Sequence, residues 1–241
     1  GLAVVCKEYG LQLKIVIPKT QSIEKKNTLK KLGAELIEVE AVPFSNPKNY
    51  IKQSKQIAED LQKNHKYGVV WGNQFDNIVN TQAHIETTAE EIWSQTSGKI
   101  DGFTCAVGTG GTLAGVSIGL KEKNKNIKIA LSDPMGSSLY SYIKNNKLES
   151  SGNSITEGIG TGRITKNFEK AIIDDAFQTN DVEALNFVYD LIEKQNITLG
   201  GSSGINIAGA VKLAKILGKG KTIVTILCDD GKRYASKIFN K

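Results

Sequence analysis

Val107-Gly108-Thr109-Gly110-Gly111-Thr112-Leu113-Ala114-Gly115 decides how this chain is read. It follows an apolar, strand-like run from Phe103 to Val107 and opens onto a helix-like one from Thr112 to Lys123. A glycine-rich turn between strand and helix leaves several backbone N–H groups unscreened by side chains. Those groups sit at the positive end of the helix dipole, which makes the turn an anion cradle. Thr109 and Thr112 add hydroxyl donors. Three glycines in the four positions Gly108–Gly111 exceed what a reversal of direction needs, so the reading predicts a bound phosphate.

Outward from that turn, short β-branched runs alternate with amphipathic segments nearly end to end. Strands are predicted at 13–17, 34–39, 68–71, 103–107, 127–132 and 222–228, and helices at 22–32, 47–63, 82–95, 112–123, 181–195 and 203–217. Near-continuous apolar strands separated by helices predict α/β architecture, with parallel sheets covered by helices on both faces. Ser22 and Gly33 bracket one helix, Asn46-Pro47 reads as cap and first turn of the next, and Asp181 starts another. The polar, turn-rich run from Gly72 to Asn77 suggests a boundary, with a smaller domain over 1–80 and a larger one over 81–241 carrying the glycine turn. Gly1-Leu2-Ala3-Val4-Val5-Cys6-Lys7 reads as the middle of a buried helix, with no cap and no preceding methionine. An upstream segment is therefore expected.

Composition narrows the function. Of the 241 residues 39% are apolar, and no apolar stretch reaches the ~20 residues of a membrane-spanning helix. With no signal-type segment at the start, cytoplasm is the default location. The net charge of +6 comes from lysines scattered beside Glu and Asn, without interleaved aromatics. That pattern argues against nucleic acid and fits a solvated surface that attracts anionic substrates. Cys6, Cys105 and Cys228 lie in apolar runs without a C-x-x-C, and His65 and His84 lie far apart. Neither a disulfide framework nor a metal site is indicated.

Two further glycine loops stand out. Leu199-Gly200-Gly201-Ser202-Ser203-Gly204 opens an apolar helix, where small residues allow a flat ligand to approach the backbone and a serine hydroxyl to bond a ring nitrogen. Glu157-Gly158-Ile159-Gly160-Thr161-Gly162 lies in a polar region suited to loop closure. A dinucleotide reading would use Gly108, Gly110 and Asp133, which ends the next strand, although Leu113 replaces the third glycine of that fingerprint.

The ordered set GTGGT-x-x-G, EGIG, G-x-SSG-x-x-x-A and DDGKRY resembles the cysteine synthase (O-acetylserine sulfhydrylase) family of pyridoxal-phosphate enzymes, with the tryptophan-synthase-type fold. Ile17-Pro18, Leu32-Gly33-Ala34-Glu35-Leu36, Asn73-Gln74-Phe75 and Thr88-Ala89-Glu90-Glu91-Ile92-Trp93 extend the resemblance over essentially the whole chain. It implies fold type II architecture: two three-layer parallel-sheet domains. It also implies that Gly108, Thr109, Gly110, Gly111 and Thr112 hold the phosphate of pyridoxal 5'-phosphate and that Ser203 meets the pyridine nitrogen. A hydroxyl there leaves the ring a weaker electron sink, which suits β-elimination and replacement. Gln74 would lie near the substrate carboxylate, with Gly158 and Gly160 near the closing loop. Arg163 stands where an aromatic residue is usual, and Asp230 where serine is.

The family makes L-cysteine from O-acetyl-L-serine and sulfide, commonly as a homodimer that can bind a serine acetyltransferase tail. Its Schiff-base lysine lies in a G-G-S-x-K-type segment, and an S-G-N-T-G loop grips the substrate carboxylate. Neither segment occurs in these 241 residues. No catalytic residue is therefore assigned, and this chain alone is expected to be inactive and poorly stable. Other readings are a cystathionine β-synthase-like or O-phosphoserine-using enzyme, a nicotinamide-dependent oxidoreductase, and a non-catalytic remnant.

Overall fold

The computed structural model describes residues 1–239. The chain forms two compact units: Gly1–Asn73 together with residues 231–239, and Gln74–Asp230. The sequence reading divides the chain at residue 80. In the structure residues 74–80 go with the second unit, and the C-terminal segment goes with the first.

In the first unit, α1 (Leu2–Glu8) precedes β1 (Lys14–Pro18), α2 (Ile23–Lys31), β2 (Glu35–Val39) and α3 (Tyr50–Asn64). β1 and β2 pair in parallel from Lys14↔Glu35 to Pro18↔Val39, with α2 as the crossover. Gly33, at φ 87°, ends α2, and the N–H of Ala34 returns to the Leu29 carbonyl at 3.1 Å. Lys26 is buried on α2, where its Nζ donates to Glu38 Oε2 and to the Lys19 carbonyl, each at 2.7 Å.

Three expectations change in this unit. Asn49, not Asn46, caps α3, accepting from the Ile51 N–H at 3.0 Å. Residues 68–71 are not a strand, because the Val69 N–H donates to the Gln62 side chain at 2.9 Å and Val70 is 93% exposed. α1 is a helix as read, yet it buries only Ala3 and Cys6 and exposes Leu2, Val4 and Val5.

The second unit holds α4 (Val79–Ala83), a π-helical turn (His84–Thr88), α5 (Ala89–Gln95), β3 (Gly102–Cys105), α6 (Gly111–Lys123), β4 (Lys128–Pro134) and α7 (Leu139–Asn145). A single 3₁₀ turn (Phe168–Lys170), β5 (Asp175–Thr179), α8 (Asp181–Gln195), α9 (Gly201–Leu217) and β6 (Ile223–Thr225) follow. The four strands form one parallel sheet in the order β5-β4-β3-β6.

The two faces of that sheet differ by residue size, as the period of two along a strand dictates. Phe103, Cys105, Ile129 and Leu131 join Leu113, Val116 and Leu120 of α6 in the main core. Each fully buried large side chain there contributes roughly 1.5–3 kcal/mol. The other face carries Gly102, Thr104, Ala130 and Ser132, against which α9 packs closely. A Cβ on Gly209 would lie 1.7 Å from Ser132 Oγ, and Thr104 Oγ1 and Ser132 Oγ bond each other at 2.8 Å. α8 begins at Asp181 as read, and Asn180 before it is the cap, accepting from the Glu183 N–H at 2.9 Å. β5 and α7 are elements that the sequence reading does not predict.

Candidate functional site

β3 lies between β4 and β6, and its exit toward α6 falls at the carboxyl edge of a parallel sheet, where such folds place ligands. Every glycine of the turn is sterically required. A Cβ on Gly108 would meet the Gly158 carbonyl oxygen at 2.1 Å, on Gly110 the Phe168 nitrogen at 2.7 Å, and on Gly111 Asn80 Oδ1 at 2.1 Å. Gly110 is also left-handed, at φ 91°. The helix therefore begins at Gly111 with its first-turn N–H groups directed to the turn, lacking intrahelical acceptors.

The loop around Gly158 and Gly160 packs directly on this turn. Both glycines have positive φ, and the Gly160 N–H donates to the Val107 carbonyl at 2.8 Å. Gln74 joins the same cluster through its backbone, because its carbonyl accepts from Asn80 Nδ2 at 2.9 Å and Asn167 Nδ2 at 3.0 Å. Asn80 Nδ2 also donates to Thr109 Oγ1 at 2.9 Å, while Thr165 Oγ1 donates to the Thr109 carbonyl at 2.6 Å. Arg163 forms a two-pronged pair with Asp76 at 3.2 and 3.0 Å and lies 5.5 Å over the Phe75 ring. Residues 163–168 thus tie the segment around Gln74 to the glycine turn.

Ser203 is fully buried in the first turn of α9, where its Oγ accepts from the Cys228 N–H at 2.9 Å. Asn206, one turn further on, accepts from the Ala106 N–H and donates to the Ile226 carbonyl, both at 2.7 Å. These bonds join α9 to the ends of β3 and β6, so Ser203 and the glycine turn share one sheet edge. Sequence reasoning misses Asn80, Asn167, Thr165, His84 and Asn206. The available signal was a polar side chain inside a small or apolar run, as at Asn206 between Ile205 and Ile207.

The hydroxyls share one chemical property. Thr109 accepts from Asn80 and, at 3.3 Å, from the Gly111 N–H, and Ser203 accepts from Cys228. A hydroxyl has a single proton, and in both residues a lone pair is already engaged, which leaves that proton to donate to a ligand. Thr112 Oγ1 lies 3.1 Å from His84 Nε2. Burial lowers the His84 pKa below the usual imidazole range. Asp133 is fully buried, with Oδ2 accepting from the Tyr140 N–H at 2.8 Å, and burial pushes its pKa up to about 6. Its carboxylate is held beneath α7, which does not suit the ribose contact of the dinucleotide reading.

A family model described as pyridoxal-phosphate dependent enzyme matches residues 1–229. The chain belongs to that family. Over its whole length it is 47% identical to cysteine synthase 1 of Neurospora crassa and 46% identical to cysteine synthase 1 of Emericella nidulans. It spans 64% and 65% of the length of those relatives. The crystal structure of an O-acetylserine dependent cystathionine beta-synthase from Helicobacter pylori matches with a TM-score of 0.83 at 31% identity, over 98% of this chain and 72% of that one. The α/β, parallel-sheet fold is that of the fold type II pyridoxal-phosphate enzymes, as the resemblance implies.

This pyridoxal-phosphate family gives the glycine turn a chemical test, and the residues present fit the group. Three glycines without room for a Cβ, first-turn N–H donors and a threonine hydroxyl with its proton to spare match a phosphate. A buried serine that accepts from the backbone matches an unprotonated ring nitrogen. Among the described residues, no helix is long and apolar enough to cross a membrane.

Proposed function

We propose that the second unit holds pyridoxal 5'-phosphate, and that the whole protein is a cysteine synthase using O-acetyl-L-serine and sulfide. One observation carries the reading: the steric closure of Gly108, Gly110 and Gly111 around a helix N-terminus, in a chain 47% identical to a cysteine synthase. When bound, the cofactor supplies an electron sink for loss and replacement of the β-substituent. The N–H groups of Gly110–Thr112 and the hydroxyls of Thr109 and Thr112 bind its phosphate. Ser203 donates its proton to the pyridine nitrogen and keeps that nitrogen unprotonated. Gln74, held through its carbonyl by Asn80 and Asn167, lies near the substrate carboxylate, and the loop bearing Gly158 and Gly160 closes over the substrate and excludes water.

In the same reading the protein is a homodimer with a serine acetyltransferase tail as partner, as the family resemblance implies, and its location is the default one, the cytoplasm. The smaller and larger domains, read from the sequence as 1–80 and 81–241 and redrawn here as the two compact units, correspond to the family's two domains. A second reading, cystathionine formation, is favoured by the structural match to the Helicobacter pylori enzyme.

Binding and turnover test these readings separately. The 241-residue chain takes up pyridoxal 5'-phosphate in competition with inorganic phosphate. The whole protein converts O-acetyl-L-serine and sulfide to L-cysteine. A preference for homocysteine over sulfide would instead establish the cystathionine reading. Failure of the whole protein to bind either pyridoxal phosphate or phosphate would refute the site.

A further inference from the structure

The glycine turn has a neighbour that neither the sequence reading nor the proposed chemistry uses. His84 opens the π-helical turn His84–Thr88, and its two ring nitrogens are both engaged. Nε2 lies 3.1 Å from Thr112 Oγ1 and Nδ1 lies 2.9 Å from Thr88 Oγ1. The turn lies close against α6: a Cβ on Gly115 of α6 would stand 2.5 Å from both His84 Cβ and the Thr81 carbonyl. Only glycine there lets the turn approach so closely. A single π-helical turn is the kind of irregularity often found at functional sites.

We infer that His84 is a positioning residue for the phosphate turn, donating from Nε2–H to Thr112 Oγ1 so that the Thr112 proton is aimed at the anion. The inference rests on the reading that this turn holds a phosphate. Thr109 and Ser203 set the pattern, since each already accepts from an N–H. Thr112 follows it only in the tautomer with the proton on Nε2. In the other tautomer Thr112 would spend its proton on the ring and face the anion with lone pairs alone. Thr88 completes the relay, because its rotatable hydroxyl donates to Nδ1. When His84 gains a second proton, Nδ1 becomes the donor to Thr88. The Nε2–H bond is kept, and a full positive charge now stands one hydroxyl away from the phosphate.

Charged groups on the packed elements leave this equilibrium to His84. α4 carries none. Glu86, on the turn itself, accepts from Gln82 at 2.7 Å. On α5 and α6, Glu90 pairs with Lys123, and Lys121 pairs with Asp174, each at 2.8 Å. Glu91 and Glu122 complete the set, and burial is the sole cause of the lowered His84 pKa. Anion affinity should therefore strengthen as the pH falls through the His84 range, and a bound anion should raise the His84 pKa by linkage.

The chain has two histidines, so ¹⁵N-detected NMR of the imidazoles resolves both, with exposed His65 as internal control. The titrations use pyridoxal 5'-phosphate and inorganic sulfate, whose charge stays constant across this pH range. The expected result is an Nε2–H tautomer at His84 and a ligand-induced rise of its pKa by about one unit, equal to about tenfold tighter binding at low pH. His65 should not respond. Calorimetry should find about tenfold weaker sulfate binding in Thr112→Val and His84→Phe, where one charged-acceptor hydrogen bond is lost. His84→Gln keeps an amide donor at the Nε2 position, and should recover most of the affinity while losing the pH dependence. Asp133 also titrates near this range, and Asp133→Asn isolates its share.

An Nδ1–H tautomer in the liganded protein would overturn the inference, as would a pH dependence in His84→Gln equal to that of the wild type. Sulfate binding that leaves the His84 pKa unmoved would overturn the relay and leave the phosphate site standing. Absence of binding by both ligands would remove both.

Discussion

Gly108→Ala puts the architecture of the turn to its hardest test, because the substitution changes one methyl group. Gly108 does not have a positive φ, so alanine can adopt its backbone conformation and the effect is purely steric. The new Cβ would lie 2.1 Å from the Gly158 carbonyl oxygen. Carbon–oxygen contacts seldom close below about 3.3 Å, so the loop must retreat by roughly 1 Å. That retreat breaks the 2.8 Å bond from the Gly160 N–H to the Val107 carbonyl. A lost hydrogen bond costs about 1 kcal/mol and overpacking about 1–3 kcal/mol, for a total of roughly 2–4 kcal/mol. For a chain of this size the melting temperature should fall by roughly 4–16 °C. Pyridoxal phosphate affinity, read by fluorescence titration, should fall by about tenfold or more, as donors at the turn leave their places. Gly162→Ala is the matched control. Its Cβ would find nothing closer than Ser138 Oγ at 3.9 Å, so its stability should stay within about 0.5 kcal/mol of wild type. If Gly108→Ala melts and binds like the Gly162 control, the two loops do not approach as described and the steric reasoning fails.

Three other perturbations test the surrounding scaffold. Asp76 and Arg163 should show a coupling of about 1–2 kcal/mol in a double-mutant cycle of Asp76→Asn and Arg163→Lys, measured by urea unfolding; additive effects would count against the clamp. Burial raises the Asp76 pKa, but Arg163 and the Lys166 N–H outweigh it and hold the carboxyl below its ordinary value. The stabilisation is therefore complete above the unfolded carboxylate range near about pH 4 and disappears as the pH falls below it, a loss that Asp76→Asn should not show. Asp133 has the opposite sign. With its pKa raised to about 6, its contribution to stability is greatest below the unfolded range and is lost as the pH rises through about 6. Asp133→Asn, which keeps an acceptor for the Tyr140 N–H, should be about 1–3 kcal/mol more stable than wild type at pH 7.5 and no more stable at pH 4; equal melting curves at pH 7.5 would refute this. Asn206→Leu preserves volume but strands the Ala106 N–H and the Ile226 carbonyl, and should cost about 2–5 kcal/mol in chemical unfolding. A cost below about 1 kcal/mol would mean that Asn206 does not join the strand ends to α9.

The parts legible in the sequence are those written in contiguous residues. The turn 107–115 joins an apolar strand to a helix and crowds glycine beyond what a turn needs, so both the fold class and the anion cradle could be read there. Val69, Val70 and Trp71 look like a strand in sequence, but strand formation also needs a partner backbone, and Val69 donates to Gln62 instead. β5 escapes the sequence reading for the reverse reason. Asp-Ala-Phe-Gln-Thr is polar enough to read as loop, yet it sits at the outer edge of the sheet, where one side needs no partner strand. α7, with seven residues, is too short to show helical periodicity.

Beyond isolated signals such as Asn206, what holds the site together is not legible in the sequence, because its hydrogen bonds span most of the unit. Thr81 donates to Asn167 across 86 positions at 2.7 Å, and Asn167 in turn donates to the Phe75 carbonyl across 92, also at 2.7 Å. In sequence each of these residues looks like ordinary loop or helix surface. In the folded unit Thr81 and Asn167 are buried, so each polar atom must find a partner or cost about 1–3 kcal/mol. That penalty makes the network specific. The glycines of the turn remove the side chains that would keep Asn80, Phe168 and Gly158 at a distance, and the asparagines fill the approach with bonds whose register only the folded chain can define. A motif of glycines therefore announces where a ligand goes, whereas the polar residues that aim its donors are recognisable only once the backbone has brought them within 3 Å.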